Sequence, residues 1–130
     1  MSLTAFDLAW IFAGGALGSL LRWWIGVLVS RRYQGAFPFA TLMINISGAF
    51  LFGFLTAFFH HDWHVRFGSP FVSFVMTGIL GGYTTFSSFE MDAVKLWGDS
   101  RRTWALVYLL SSSVGGLLAA VAGIYAARLF

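Results

Sequence analysis

Four long apolar runs alternate with short charged gaps along the chain of 130 residues. Residues 8–29 carry only one charge, Arg22. The stretches 33–59, 67–89 and 103–127 carry none. A helix needs about 20 apolar residues to cross a bilayer. Each run meets that length, and none alternates as a strand facing water would. The pattern therefore predicts an all-α integral membrane protein. Its four transmembrane helices cover about 6–29, 38–60, 69–95 and 103–128, in a single domain over 1–130. Pro38 and Pro70 fall near the starts of the second and third spans, where proline costs a helix little. The first run lacks the basic start and cleavage site of a signal peptide, so it reads as a retained helix.

Small residues recur four apart along the spans. Gly14, Gly18, Arg22 and Gly26 share one stripe of the first, and Thr41, Asn45, Ala49 and Gly53 one stripe of the second. The fourth carries two: Tyr108, Ser112, Gly116 and Ala120 beside Ser111, Gly115, Ala119 and Gly123. Such stripes let helix backbones approach closely in lipid. A four-helix unit this small hardly encloses an aqueous path alone, so a homo-oligomer is expected.

Composition sharpens this picture. Hydrophobic residues make up 58 % and charged residues 10 %, against about 25 % charged in soluble domains. A water-facing surface cannot be built from so few charges. The formal charge of +3 is scattered and forms no nucleic-acid footprint. With no cysteine, disulfides and thiolate metal sites are excluded. The gaps after spans one and three hold Arg31, Arg32, Lys95, Arg101 and Arg102, whereas the other side holds Arg66 and Arg128. The positive-inside rule places the first group in the cytoplasm. The bias is modest, and it is compatible with one orientation or with both.

Candidate chemistry is sparse. His60, His61 and His64 share a short loop with Asp62. The spacing of His60 and His64 suits a metal on a helix, but a loop flanked by aromatics and lacking a third ligand reads as interfacial polar residues. No nucleophile–base pair stands out, so no catalytic residue is assigned and an enzyme is not expected. Asn45 lies mid-span, where an amide must find partners. It serves either as glue between helices or as a donor lining a pore. Arg22 is the one full charge inside a span. It either snorkels to the headgroups or faces an ion vestibule.

The segment Gly78-Ile79-Leu80-Gly81-Gly82-Tyr83-Thr84-Thr85-Phe86-Ser87-Ser88-Phe89 is the most informative. Glycines and β-branched threonines weaken a helix, here in mid-membrane. A broken helix is tolerated there only inside protein or against a cavity. Breaks expose carbonyls that hold cations and N-termini that face anions. Thr84 or Thr85 is placed to cap the restarted helix. Phe86 and Phe89 then share a face, with Thr85 and Ser88 beside them. Ring edges are positive, and together with donors on Asn45, Thr85, Ser88, Tyr108 and Ser112 they suit a small dehydrated anion.

These residues resemble the Fluc family of bacterial fluoride channels over essentially the whole chain. The first span has Gly14-Gly15-Ala16-Leu17-Gly18-Ser19-Leu20-Leu21-Arg22, similar to the family's glycine-rich start ending in arginine. The second has Thr41-Leu42-Met43-Ile44-Asn45-Ile46-Ser47-Gly48-Ala49-Phe50, and the third Gly81-Gly82-Tyr83-Thr84-Thr85-Phe86-Ser87-Ser88-Phe89, in the family's order. Departures are mild. Ala40 stands for a glycine, Ala49 for serine, Tyr83 for phenylalanine and Ser88 for threonine.

The resemblance implies an antiparallel, dual-topology homodimer in the bacterial inner membrane, with two fluoride pores at the subunit interface and the third span broken mid-membrane. It implies that Asn45, Phe86 and Phe89 line each pore, with Thr85 and Ser88 near them. Tyr108 and Ser112 would continue a polar track, and Arg22 would attract anions at a vestibule. It also implies a structural sodium ion, held at the dimer interface by the backbone carbonyls of Gly81 and Thr84. Passive export would follow from HF entering, dissociating inside and leaving fluoride to be driven out by the membrane potential. Two rivals remain. A proton-coupled small multidrug exporter also has four spans but needs an intramembrane carboxylate, and none lies in span one between residues 8 and 29. A non-transporting scaffold explains the small-residue stripes but leaves Asn45 and the break without a purpose.

Overall fold

A computed structural model describes residues 3–60, 62 and 68–130, and every regular element among them is helical. Helix α1 runs Ala5–Arg32 and α2 runs Phe39–Phe58. A π-helix, Val72–Ile79, continues into the short α3, Leu80–Tyr83. After a non-helical step come α4, Ser87–Gly98, and α5, Arg102–Ala127. By length and composition, α1, α2 and α5 are each able to cross a membrane. The third predicted span has no such helix, because its residues are divided among the π-helix, α3 and α4. His61, His64 and Arg66 lie outside the described residues, and no cluster of three metal-ligating side chains occurs within them.

The helices meet through glycine. A Cβ on Gly14 would overlap the Phe74 carbonyl oxygen, and one on Gly18 would overlap that of Ile79. From the other side, Gly82 faces the Gly15 carbonyl. The backbone of α1 thus lies directly on the π-helix and α3. The second close crossing joins α2 to α5, where Gly53 abuts the Ala120 carbonyl and Gly123 abuts that of Phe50. In hydrocarbon no hydrophobic force pulls apolar helices together, so association depends on this close van der Waals approach. Large apolar side chains are left on the outside accordingly, Phe12 at 74 % exposure and Leu117 at 67 %.

Helix α1 starts with a capping box. Asp7 N–H donates to Thr4 Oγ1 at 3.1 Å, and Thr4 N–H donates to Asp7 Oδ2 at 3.1 Å. The other carboxylate oxygen of Asp7 accepts from Gly68 N–H at 2.9 Å and Ser73 Oγ at 2.7 Å. A buried carboxylate is tolerable because four donors surround it. It fastens the start of α1 to the start of the π-helix.

Candidate functional site

The site grows from the interruption between α3 and α4. Thr84 is extended (φ −75°, ψ 158°), so the helical ladder stops there. A continuous helix would send the Thr85 N–H to the Gly81 carbonyl. Instead it donates to Asn45 Oδ1 at 2.9 Å, and Asn45 Nδ2 donates to the Thr85 carbonyl at 2.8 Å. The Asn45 amide therefore stands in for a missing backbone partner in both directions. This satisfies the demand that buried backbone groups be paired. Gly48, one turn on, leaves room for the Thr84 methyl group.

Helix α4 restarts after Phe86, and the Thr85 hydroxyl just before it takes up an N–H of the first turn. Ser88 N–H donates to Thr85 Oγ1 at 3.2 Å, and Thr85 Oγ1 donates to Ser88 Oγ at 3.1 Å. Arg22 is half-buried and reaches the break, Nη1 lying 3.4 Å from the Thr84 carbonyl oxygen. Tyr83 Oη and Ser47 Oγ are 2.8 Å apart, a further tie between the break and α2.

A groove of about 590 Å³ opens here. Its lining includes Asn45, Gly81, Thr84, Thr85, Phe86, Phe89 and Ser112. The Phe86 and Phe89 rings lie 5.8 Å apart at 38°, and Phe86 is 70 % exposed. Ser112 Oγ is buried without a hydrogen-bond partner among the described residues. Its residue lines the same groove as the two rings. Ser88 and Arg22 act on the residues of the groove without lining it.

Tyr108 lies on α5, one turn before Ser112. It is fully buried, packed against Phe37 at 5.7 Å and Phe89 at 5.4 Å between ring centroids. Its hydroxyl donates to Asp92 Oδ2 at 3.5 Å, and Thr41 Oγ1 donates to the same oxygen at 2.7 Å. Asp92 is a side chain that the sequence did not single out. The signal was present in Thr41, which leads the stripe that continues through Asn45. The hydroxyls of Thr41 and Tyr108 are thus occupied by a carboxylate, one helical turn from Phe89.

The Gly81 and Thr84 carbonyls fit a small hard cation. Gly81 has lost its ladder donor, both residues line the same groove, and both lie at the negative end of a helix. The Arg22 guanidinium, 3.4 Å from the Thr84 carbonyl oxygen, competes for it as a positive group.

Comparison with known proteins adds a second line. A family model described as "CrcB-like protein, Camphor Resistance (CrcB)" matches residues 9–124. A Brucella abortus protein named "Fluoride-specific ion channel FluC 2" is 50 % identical over 127 residues, covering 98 % of this chain and 98 % of its own. A Yersinia pseudotuberculosis protein of the same name is 50 % identical over 125 residues, covering 96 % and 99 %. A Helicobacter pylori protein named "Fluoride-specific ion channel FluC" is 36 % identical, covering 96 % and 95 %.

Proposed function

The chain belongs to the CrcB family, and from that membership we propose that it is a passive, fluoride-selective channel of the bacterial inner membrane. Half identity across nearly the full length of a protein named for fluoride is the observation that carries the choice of ion. A channel of this kind performs no covalent chemistry and is not an enzyme. Its physiological task is to let the membrane potential expel fluoride that entered as HF.

The groove supports the mechanism. Fluoride is small and strongly hydrated, so it enters only where donors replace its water. Ser112 Oγ is such a donor, and the second Nδ2 hydrogen of Asn45 is another. The Phe86 and Phe89 rings offer positive edges and exclude water. Thr85 and Ser88 hold each other, which sets the angle at which α4 presents both rings. Arg22 contributes positive potential near the break. Asp92 holds the Tyr108 and Thr41 hydroxyls in reserve next to Phe89.

A single copy leaves the groove open along one side, with Phe86 mostly exposed. A second, oppositely oriented copy closes it, in a dual-topology homodimer with one pore per groove. The third span is then broken at mid-membrane, and its exposed carbonyls at Gly81 and Thr84 hold a structural sodium ion shared by both copies. Bound there, the ion supplies a fixed positive charge. A proton-coupled exporter fits less well, because Asp7 is saturated by donors and Asp92 is engaged by two hydroxyls.

The test is ion efflux from liposomes holding the purified protein, with valinomycin clamping the voltage. Fast fluoride loss without chloride loss is expected. Proton-coupled movement of organic cations, with no fluoride flux, would establish the exporter instead.

A further inference from the structure

The turn between α4 and α5 carries a cluster that the pore does not use. Lys95, Arg101 and Arg102 are all exposed, against the single carboxylate of Asp99 in the turn. The Arg102 guanidinium lies 5.3 Å from the centre of the Trp97 ring, which restrains it against the surface. The turn itself is fixed at its backbone, the Arg101 main-chain N–H donating to the Leu96 carbonyl at 3.0 Å. Below the cations, Met91, Val94 and Trp97 follow one another three residues apart along α4. Met91 and Val94 are each 68 % exposed. The surface is cationic at the end of α4 and carries exposed apolar side chains along the helix, beyond Glu90.

We propose that this corner binds an anionic phospholipid, its phosphate held by Arg101, Arg102 and Lys95 and an acyl chain lying along Met91 and Val94. Charge complementarity and the adjoining apolar stripe select this ligand. A free phosphate would answer only to the cations, and a neutral lipid only to the stripe. The indole of Trp97 belongs at headgroup depth, where tryptophan is enriched. The other basic ends differ. Arg128 stacks on Tyr125 without a second cation in its helical turn, and α1 ends in Arg31 and Arg32 with no ring contact among the described residues.

The position gives the lipid leverage on the site. Leu96, from which the turn hangs, packs with Phe37, Ala105 and Tyr108. Helix α4 carries Phe89 and α5 carries Ser112, so the corner fixes one side of the groove relative to the other. A headgroup bridging the turn steadies that angle. The proposal holds whatever ion the groove conducts.

The test uses the full chain in mild detergent, with bound lipid counted by native mass spectrometry and melting followed by thermal shift. Phosphatidylglycerol should be retained and raise the melting temperature, and phosphatidylcholine should do neither. Arg101→Gln with Arg102→Gln should weaken retention by about tenfold or more, near-surface cations each contributing on this scale. The double change Arg31→Gln with Arg32→Gln removes the same charge and should leave retention intact. Trp97→Leu keeps every charge and should weaken retention a few-fold, which covers the case in which the double arginine variant does not fold. Equal loss in both arginine pairs would overturn the site in favour of diffuse charge. An equal thermal shift from inorganic phosphate would overturn the lipid assignment.

Discussion

From Val72 to Tyr83 the chain is held by steric fit, with Gly14, Gly18 and Gly82 bringing backbone onto backbone. From Thr84 to Phe89 it is held by polar side chains, with Asn45, Thr85 and Ser88 replacing the lost helical ladder. The first arrangement leaves no room for a Cβ at its backbone crossings and rests mainly on shape. The second has space, in the form of the groove, but depends on individual hydrogen bonds. The contrast separates what the molecule needs to fold from what it needs to conduct. Scaffold defects should follow from volume at the first region, and functional defects from donor loss at the second.

The sharpest way to break the comparison is volume. Gly18→Val should drive side-chain atoms into the Ile79 carbonyl and Tyr83 N. Overpacking on this scale costs about 3 kcal/mol or more, so the folded, monodisperse fraction on size exclusion should collapse. Asn45→Ala comes next. It leaves the Thr85 N–H and carbonyl without their partners, a loss of about 1–3 kcal/mol per buried group. Fluoride flux should fall by more than about tenfold, taking one tenfold step per 1.4 kcal/mol, while the oligomer on size exclusion persists.

Asp92→Ala should act more gently. It frees the Thr41 and Tyr108 hydroxyls, and each lost hydrogen bond is worth about 1 kcal/mol. A flux change of several-fold with a small drop in melting temperature is expected. Gly26→Ala should have the smallest effect, since a Cβ there meets open space. Melting should be unchanged or rise, within the roughly 1 kcal/mol by which alanine exceeds glycine in a helix. A large loss instead would show that a second copy covers that stripe.

Much of the fold was legible because membrane solvent leaves few options. Long uncharged runs become helices, since no other segment satisfies its own backbone in lipid, and α1, α2 and α5 follow from that rule. The weakness at Gly81 to Thr85 was legible from helix propensity, whereas the cap position of α4 falls to Phe86 and not to Thr84 or Thr85. The π-helix was not legible, because a widened turn has no compositional signature. The groove brings Asn45, Thr85, Phe86, Phe89 and Ser112 together, which spacing within single helices could not establish. Two polar networks also escaped. Asp7 and Asp92 look like end-of-span charges in sequence, and only the approach of Ser73, Thr41 and Tyr108 turns each into a tie between elements. Tyr108 reads as a track donor by its spacing from Ser112, and its hydroxyl meets Asp92 beside the aromatic cluster.

The most direct test of the central claim compares fluoride efflux through wild type and Asn45→Ala, at matched oligomer content in the same liposomes, read with a fluoride electrode. Rapid fluoride-only efflux in the wild type, and its loss in a variant that still assembles, is the predicted result. Undiminished fluoride efflux through Asn45→Ala would contradict the account, because the groove built on that amide would then not be the path.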